Sequence, residues 1–550
     1  MSRAEVVDAV VVGGGHHGLV AAAVLADAGW DVLVLEAEDE IGGAVRSTEL
    51  HPGFTSDRFS AFYPLAAASP ILRALELDRH GLEWSHAPAV LAHPLTPDGD
   101  EAAVLYRDRD RTAAGLDAHT PGDGEAWLRL CRQWDVVGEP MLRSLFTAFP
   151  PVRGPAQLLR RIGTAEALRL ARFLALPMTR MGAELFDGEA ARLLLAGNSA
   201  HADAPAGATV SGVFGWLLAM LGQQYGFPTP VGGTSRFAEA IASRARVAGA
   251  QIRTGERVER IEVRGGRAVA VQTVTGLRVQ ARRAVVADVA APVLYQDLLP
   301  ADALPPRLHE DLRRFEWDTP VVKLDWALDA PVPWRAKGAT EAGTVHLGAD
   351  THGLVRWFAD LETRALPASP FLLFGQMTTA EPTRSPAGTE SAWAYTHLPR
   401  GCTDDASADE LARRAEAVVE AYAPGFADRV VHRVVQRPSD LQGADANLVH
   451  GAVNGGTAQL FQQLVFRPTP GLGRSETVVG NLYLGSASAH PGGGVHGTCG
   501  FLAAQAALGE HGRFGGLRRR VTSAALELVY AERRSRGQSC GSAVARREAR

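Results

Sequence analysis

Residues 8–36 read as a strand, a glycine turn, a helix and a second strand, and this unit constrains the fold more than anything else in the chain. The turn, Gly13-Gly14-Gly15-His16-His17-Gly18, satisfies the spacing GxGxxG. Ahead of it, Asp8-Ala9-Val10-Val11-Val12 is a nearly continuous apolar run, as in strands buried on both faces. Behind it, residues 19–28 are rich in alanine and leucine, which favour helix, and Gly29 stands where a helix stop belongs. In such a unit Gly13 permits the tight bend, Gly15 lets backbone approach a pyrophosphate, and Gly18 lets the helix pack on the strand. The helix start offers unpaired amides and a positive dipole end to phosphate. The second strand, Asp31-Val32-Leu33-Val34-Leu35, ends at Glu36, an acid about 20 residues beyond the glycines and placed to accept from ribose hydroxyls. GxGxxG alone is weak evidence. Strand, helix and acid in register make it a dinucleotide site.

The next segment separates FAD from NAD. Ile41-Gly42-Gly43-Ala44-Val45-Arg46-Ser47 offers a second backbone approach to phosphate, with Arg46 as a nearby cation, and this suits the longer FAD molecule. No second GxGxxG occurs. Cys131, Cys402, Cys499 and Cys540 show no CxxC spacing, so a glutathione-reductase type of enzyme is excluded and nothing argues for a metal site or a disulfide framework. A reducing cytoplasm is expected. The net charge of −5 argues against a nucleic-acid partner, which needs a basic footprint.

Near the other end, Leu482-Tyr483-Leu484 reads as a short strand and Gly492-Gly493-Gly494 as a turn without side chains. Residues 495–508 read as an alanine-rich helix. The logic of the N-terminal unit is thus repeated. Gly42-Gly43 together with the segment Asn481-Leu482-Tyr483-Leu484-Gly485-Ser486-Ala487-Ser488-Ala489-His490-Pro491-Gly492-Gly493-Gly494-Val495-His496-Gly497 resembles the bacterial phytoene desaturases. The likeness is greatest to the branch of CrtO-type carotenoid ketolases, beside which stand the animal pyridine nucleotide-disulphide oxidoreductase domain-containing proteins. Pro52-Gly53-Phe54-Thr55-Ser56-Asp57, Pro228-Thr229-Pro230-Val231-Gly232-Gly233 and Arg467-Pro468-Thr469-Pro470-Gly471 match in the same order.

The resemblance implies an FAD-dependent oxidoreductase acting on an apolar, polyene- or isoprenoid-like small molecule through CH–CH or allylic C–H oxidation. It implies that the C-terminal helix points at the flavin ring, with Gly485, Gly493, Gly494 and Val495 near it, and that the backbone of Val258 meets the adenine. A helix start is worth about 0.3–1 kcal/mol to a nearby negative charge. His16 and His17 belong to the pyrophosphate turn. Where relatives carry asparagine, His17 is expected to be a surface replacement without a catalytic role. His490, beside the glycine turn, and His201 are the candidates for moving a proton. An amine oxidase, and a flavin-binding regulatory protein without turnover, are the competing readings.

The expected fold class is α/β: a discontinuous Rossmann-type FAD-binding domain with an inserted α+β substrate domain and a helical cap. Residues 1–75, 230–299 and 471–511 are assigned to the flavin domain, 76–229 to the helical cap and 300–470 to the rest of the substrate domain. Within the flavin domain, Gly265-Gly266 marks a hairpin turn. Residues 210–221 form a charge-free run of about a dozen residues, against roughly 20 for a membrane span. A buried helix is expected there, lining a substrate tunnel or forming ordinary core, with a dip into a bilayer surface the other reading. Residues 512–550 hold ten arginines against three glutamates and are expected to be a flexible, solvated tail, with contact to an anionic membrane the alternative.

Overall fold

The computed structural model describes residues 5–531. The glycine unit folds as β1 (Glu5–Val12), α1 (His16–Asp27) and β2 (Val32–Leu35), with β2 parallel to β1. Four more strands join them: β3 (Gln251–Arg253), β4 (Val258–Arg264), β5 (Arg267–Thr273) and β6 (Arg278–Ala287), in the order β4-β5-β6-β1-β2-β3. The chain then leaves for some two hundred residues and returns as β7 (Leu482–Leu484), parallel to the end of β6. β6 starts earlier than the apolar run at 284–287 suggests. Its first residues pair with β5 and alternate polar with apolar, and only its last ones pair with β7.

Period-two alternation places this sheet between two cores. Ala9, Val11, Val32 and Val34 pack under α1, while Val10, Val12, Leu33 and Leu35 face Leu294, Tyr295 and Leu308. On the α1 side lies α3 (Thr498–His511), which follows β7. A Cβ on Gly18 would stand 2.2 Å from the Gly13 carbonyl oxygen, and one on Gly500 would stand 1.8 Å from that of His17. Only glycine at both positions lets the two helices start side by side beneath the turn.

The second sheet runs in the order Val430–Gln436, Val321–Leu328, Glu390–His397, Leu372–Gln376, Ala342–Leu347, Ala89–Pro94, Ala102–Leu105. Its last two strands come from the segment assigned to the helical cap. Ala342–Leu347 pairs parallel with Ala89–Pro94, so the sheet is mixed. Both strands from the cap segment are short, and Ala89–Pro94 contains histidine and proline, which hid them in an otherwise helical stretch. The helices of that stretch include Asp123–Leu145, Arg153–Ala175 and α2 (Ser211–Tyr225).

The charge-free run lies in α2. Trp216, Ala219 and Met220 are fully buried in core. The tail expectation is corrected as well: residues 515–530 form α4 (Gly515–Tyr530), pinned by the Tyr530 hydroxyl donating to the Pro470 carbonyl at 2.9 Å and by Arg518 paired with Glu476 at 2.9 Å. The rest of the proposed tail, 532–550, lies outside the described residues. Among the described residues no helix is long and apolar enough to cross a membrane.

Candidate active site

β1 delivers the glycine turn to the sheet's carboxyl edge, where the amide of Gly14 donates to Glu36 Oε2 at 2.6 Å. Glu36 Oε1 accepts from the Glu38 amide at 2.9 Å. Burial holds this carboxyl above its ordinary range, against the pull of those two amides. The second glycine pair closes on the first. The Gly42 amide donates to the Gly14 carbonyl at 2.9 Å, and a Cβ on Gly43 would stand 3.2 Å from Gly15 Cα. Two segments separated in sequence thus form one bare backbone surface at the start of α1, whose first amides lack helical partners.

Arg46 does not extend into this cradle. It is buried, donates through Nε to the Gly43 carbonyl at 2.9 Å and through Nη2 to that of Ala444, and pairs with Glu40 at 3.2 Å. It braces the second glycine pair. Two acids that sequence reasoning missed complete the floor. Asp288 follows β6 as Glu36 follows β2, and its Oδ2 accepts from the Gly18 amide at 2.8 Å. Burial lifts its carboxyl to about 8 despite that amide, with Asp445 and Glu36 adding to the rise. Asp445 is raised by burial too, while Arg46 opposes the shift. Burial thus favours the protonated form of Asp288, which would lower the negative charge beneath the glycine turn.

The C-terminal turn reaches the same place. Gly15, His16 and Gly43 line one cavity of about 460 Å³ together with Gly493, Gly494 and Val495. The expected helix start at Val495 is three residues early: α3 begins at Thr498, after Gly497 in the left-handed region. The delay is bridged by His496, whose Nδ1 accepts the Thr498 amide at 3.0 Å and whose Nε2 donates to the Gly492 carbonyl at 3.2 Å. Gly485 packs β7 against α3, its amide donating to Ala287 at 2.8 Å. Val258 opens β4 and pairs with Thr273, off the cavity wall.

His17 is not at the surface. In the first turn of α1 it is buried against His496, and neither ring nitrogen has a partner. Its ring, His496 and Cys499 bring their ligand atoms within 4.8 Å of one another. His496 is already spent on backbone, and the Cys499 thiol lies 3.7 Å from the Ala489 carbonyl oxygen.

Beyond the turns the cavity is mostly apolar, walled by Phe59, Phe62, Phe214, Leu217 and Leu218. α2 thus divides its two readings between its faces, cavity wall on one and core on the other. His201 lines this chamber and shares an Nε2-to-Nε2 hydrogen bond of 3.0 Å with His346. Burial depresses it to about 3, so it is neutral. His490 stands behind the wall, donating to the Thr147 carbonyl at 3.1 Å, and is depressed by burial to about 4. Lys323, also unforeseen, is a buried ammonium on the cavity wall, matched by Asp325. Asp325 in turn accepts from Ser56 Oγ at 2.6 Å and Gln436 Nε2 at 2.8 Å. The loop at 453–458 is held by Asp318, which accepts the amides of Val453 and Asn454 at 2.7 and 3.0 Å. Buried Arg467 donates to the Asn454 carbonyl at 2.7 Å.

Residues 18–508 match the family model for flavin-containing amine oxidoreductases. The chain belongs to that family. As a flavin-containing amine oxidoreductase family member it is an FAD-dependent oxidoreductase. It is 29% identical to the rat pyridine nucleotide-disulfide oxidoreductase domain-containing protein 2, over 90% of this chain and 92% of that one. It is 25% identical to the neurosporene-forming phytoene desaturase of Rhodobacter capsulatus, over 88% and 91%. These relatives agree with the resemblance read from the glycine segments. Among solved structures, putrescine oxidase bound to putrescine shares the fold of this family member with a TM-score of 0.58 at 17% identity, covering 92% of this chain and 99% of that one. An oxidoreductase from Methanosarcina mazei matches with a TM-score of 0.59 at 15% identity, over 91% and 99%.

Proposed function

We propose that the protein oxidises an apolar, extended substrate of polyene or isoprenoid type at a CH–CH or allylic C–H position. The observation that carries this reading is the continuity of the cavity, from the two glycine turns to a chamber walled by Phe59, Phe62, Phe214, Leu217 and Leu218. Two relatives are named for such substrates, the Rhodobacter desaturase and a 4,4'-diapolycopene oxygenase of Methylomonas.

In this reading the flavin domain is assembled from 1–75, 230–299 and 471–511, and the remaining segments cover it with the substrate domain. Gly13, Gly15, His16, His17 and Gly18 present the start of α1 to the pyrophosphate, with Gly42 and Gly43 closing from the opposite side. Arg46 fixes that closure. Glu36 keeps lone pairs for ribose hydroxyls beyond its two amide bonds, and the Val258 backbone meets the adenine. Gly493, Gly494 and Val495 form the wall against the ring, and Gly485 packs β7 on α3 behind them. When bound, FAD supplies the hydride acceptor at N5. Phe214, Leu217 and Leu218 hold the substrate and exclude water. His201, on the chamber wall, is placed to take the proton that leaves the adjacent carbon. His490, off the wall, holds the turn rather than the substrate.

The family description favours amine oxidation as the second reading. Anaerobic mixing of the holoenzyme with polyenes or with primary amines, followed by flavin bleaching, decides between them. Bleaching by polyenes and its loss in Leu217→Asp with flavin content intact is expected. Bleaching by amines alone would reverse the order, and no bleaching by either class would favour the regulatory reading.

A further inference from the structure

α4 leaves its apolar side uncovered. Phe514, Leu517, Val521 and Leu528 are 74, 65, 63 and 82% exposed. With Ala524 and Ala525 they fall in one arc of the helix about 100° wide, the width of a stripe that normally faces a core. Arg520 is exposed beside this arc, and Arg513 is exposed just ahead of the helix. From Arg513 to Tyr530 the chain carries four arginines against the single acid Glu527, in a protein whose net charge is −5. Among the described residues Arg518 pairs with Glu476, while Arg513, Arg519 and Arg520 form no ion pair.

A second exposed ridge, formed by Leu460, Phe461, Leu464 and Phe466, adjoins the end of this helix. The chain just after the ridge packs on α4: Tyr530 holds Pro470, and a Cβ on Gly471 would stand 2.7 Å from Val529 Cγ1. The ridge also borders the active site, since Ala458 and Gln463 line the cavity.

We propose that α4 and the 460–466 ridge dock the protein on the surface of an anionic lipid bilayer. The apolar arc enters the headgroup boundary while Arg513, Arg519 and Arg520 meet lipid phosphates. A second copy of the chain fits this face less well, because self-pairing would set arginine against arginine. The 532–550 sequence adds six arginines against two glutamates on the same side of the charge balance.

Sedimentation of the full-length holoenzyme with phosphatidylcholine vesicles, with and without phosphatidylglycerol, tests this without any substrate. Its outcome is therefore separate from that of the catalytic reading. Binding that requires phosphatidylglycerol and weakens with salt is expected. Leu517→Glu/Val521→Glu should abolish it with flavin content and melting temperature retained. Arg513→Glu/Arg520→Glu should weaken it by at least about fivefold per arginine, and serves as the second variant if the first fails to fold. Equal sedimentation with and without phosphatidylglycerol would overturn the proposal, as would undiminished binding by the folded variants. Concentration-dependent dimers dissolved by Leu517→Glu/Val521→Glu, without vesicle binding, would assign the face to a second copy instead.

Discussion

The two glycine turns sit at opposite ends of the chain and obey one plan, yet they solve it differently. The N-terminal turn runs straight into α1, with Gly15 as its cap residue, so the helix start itself forms the cavity wall. The C-terminal turn stops three residues short of α3 and is joined to it by the His496 ring. The first exposes helix amides, which suits a pyrophosphate carrying full charge. The second caps its first helix amide with an imidazole and presents the turn's own backbone, which suits a flat ring whose charge changes. The same secondary-structure order therefore yields two kinds of surface, and the spacer decides which.

The sharpest way to break this comparison is at the point where the two units touch. Gly500→Val places a side chain where even a Cβ would overlap the His17 carbonyl. Overpacking typically costs about 1–3 kcal/mol, more where backbone cannot move. The expected result is protein without bound FAD and with a lowered melting temperature, read from the flavin-to-protein absorbance ratio. Retained flavin would mean that the helices need not meet so closely.

Glu36→Ala attacks the N-terminal turn alone. It leaves the amides of Gly14 and Glu38 unpaired, a loss of about 1–3 kcal/mol. FAD should bind roughly tenfold to a hundredfold more weakly in a titration of the apoprotein. An unchanged affinity would show that the acid serves only the turn.

pH gives a third handle. Asp288, lifted by burial from 3.8 to about 8, binds its proton more tightly folded than unfolded. Its contribution to apoprotein stability is complete below the ordinary carboxylate range and is lost as pH rises through about 8. The urea midpoint of the apoprotein should fall between about pH 6 and about pH 9, and Asp288→Asn should flatten that slope. A slope unaffected by Asp288→Asn would place the titration elsewhere.

The smallest expected effect belongs to the C-terminal spacer. His496→Ala removes one cap and one carbonyl partner, worth about 1 kcal/mol each. It should lower the melting temperature modestly while FAD remains bound. Asn, which offers both an acceptor and a donor, should recover part of the loss. If the alanine variant loses its flavin, the two turns are not separable in the way described.

The glycines, the strand-end Glu36 and the apolar strands were readable because each obeys a local rule of backbone freedom or periodicity. Asp288 was within reach of the same rule, as an acid ending an apolar strand. Lys323 and Asp318 were not, because isolated charged residues in apolar strands and loops look alike until packing shows what faces them. His17 was misplaced for the converse reason: a polar residue in a glycine turn looks exposed until α3 covers it. The sheet strands at 89–105 and helix α4 were hidden by composition, since short strands and basic amphipathic helices depend on neighbours remote in sequence.

By itself, then, the sequence determined that this chain carries a strand–turn–helix unit of dinucleotide-binding type and repeats that unit near its end, because tight turns and buried strands impose their residue types locally. That the two units close on one cavity, that α2 turns one face to it, and that burial raises the Asp288 carboxyl were decided only by the tertiary structure. Each depends on burial and on contacts between segments hundreds of residues apart, which no local pattern encodes.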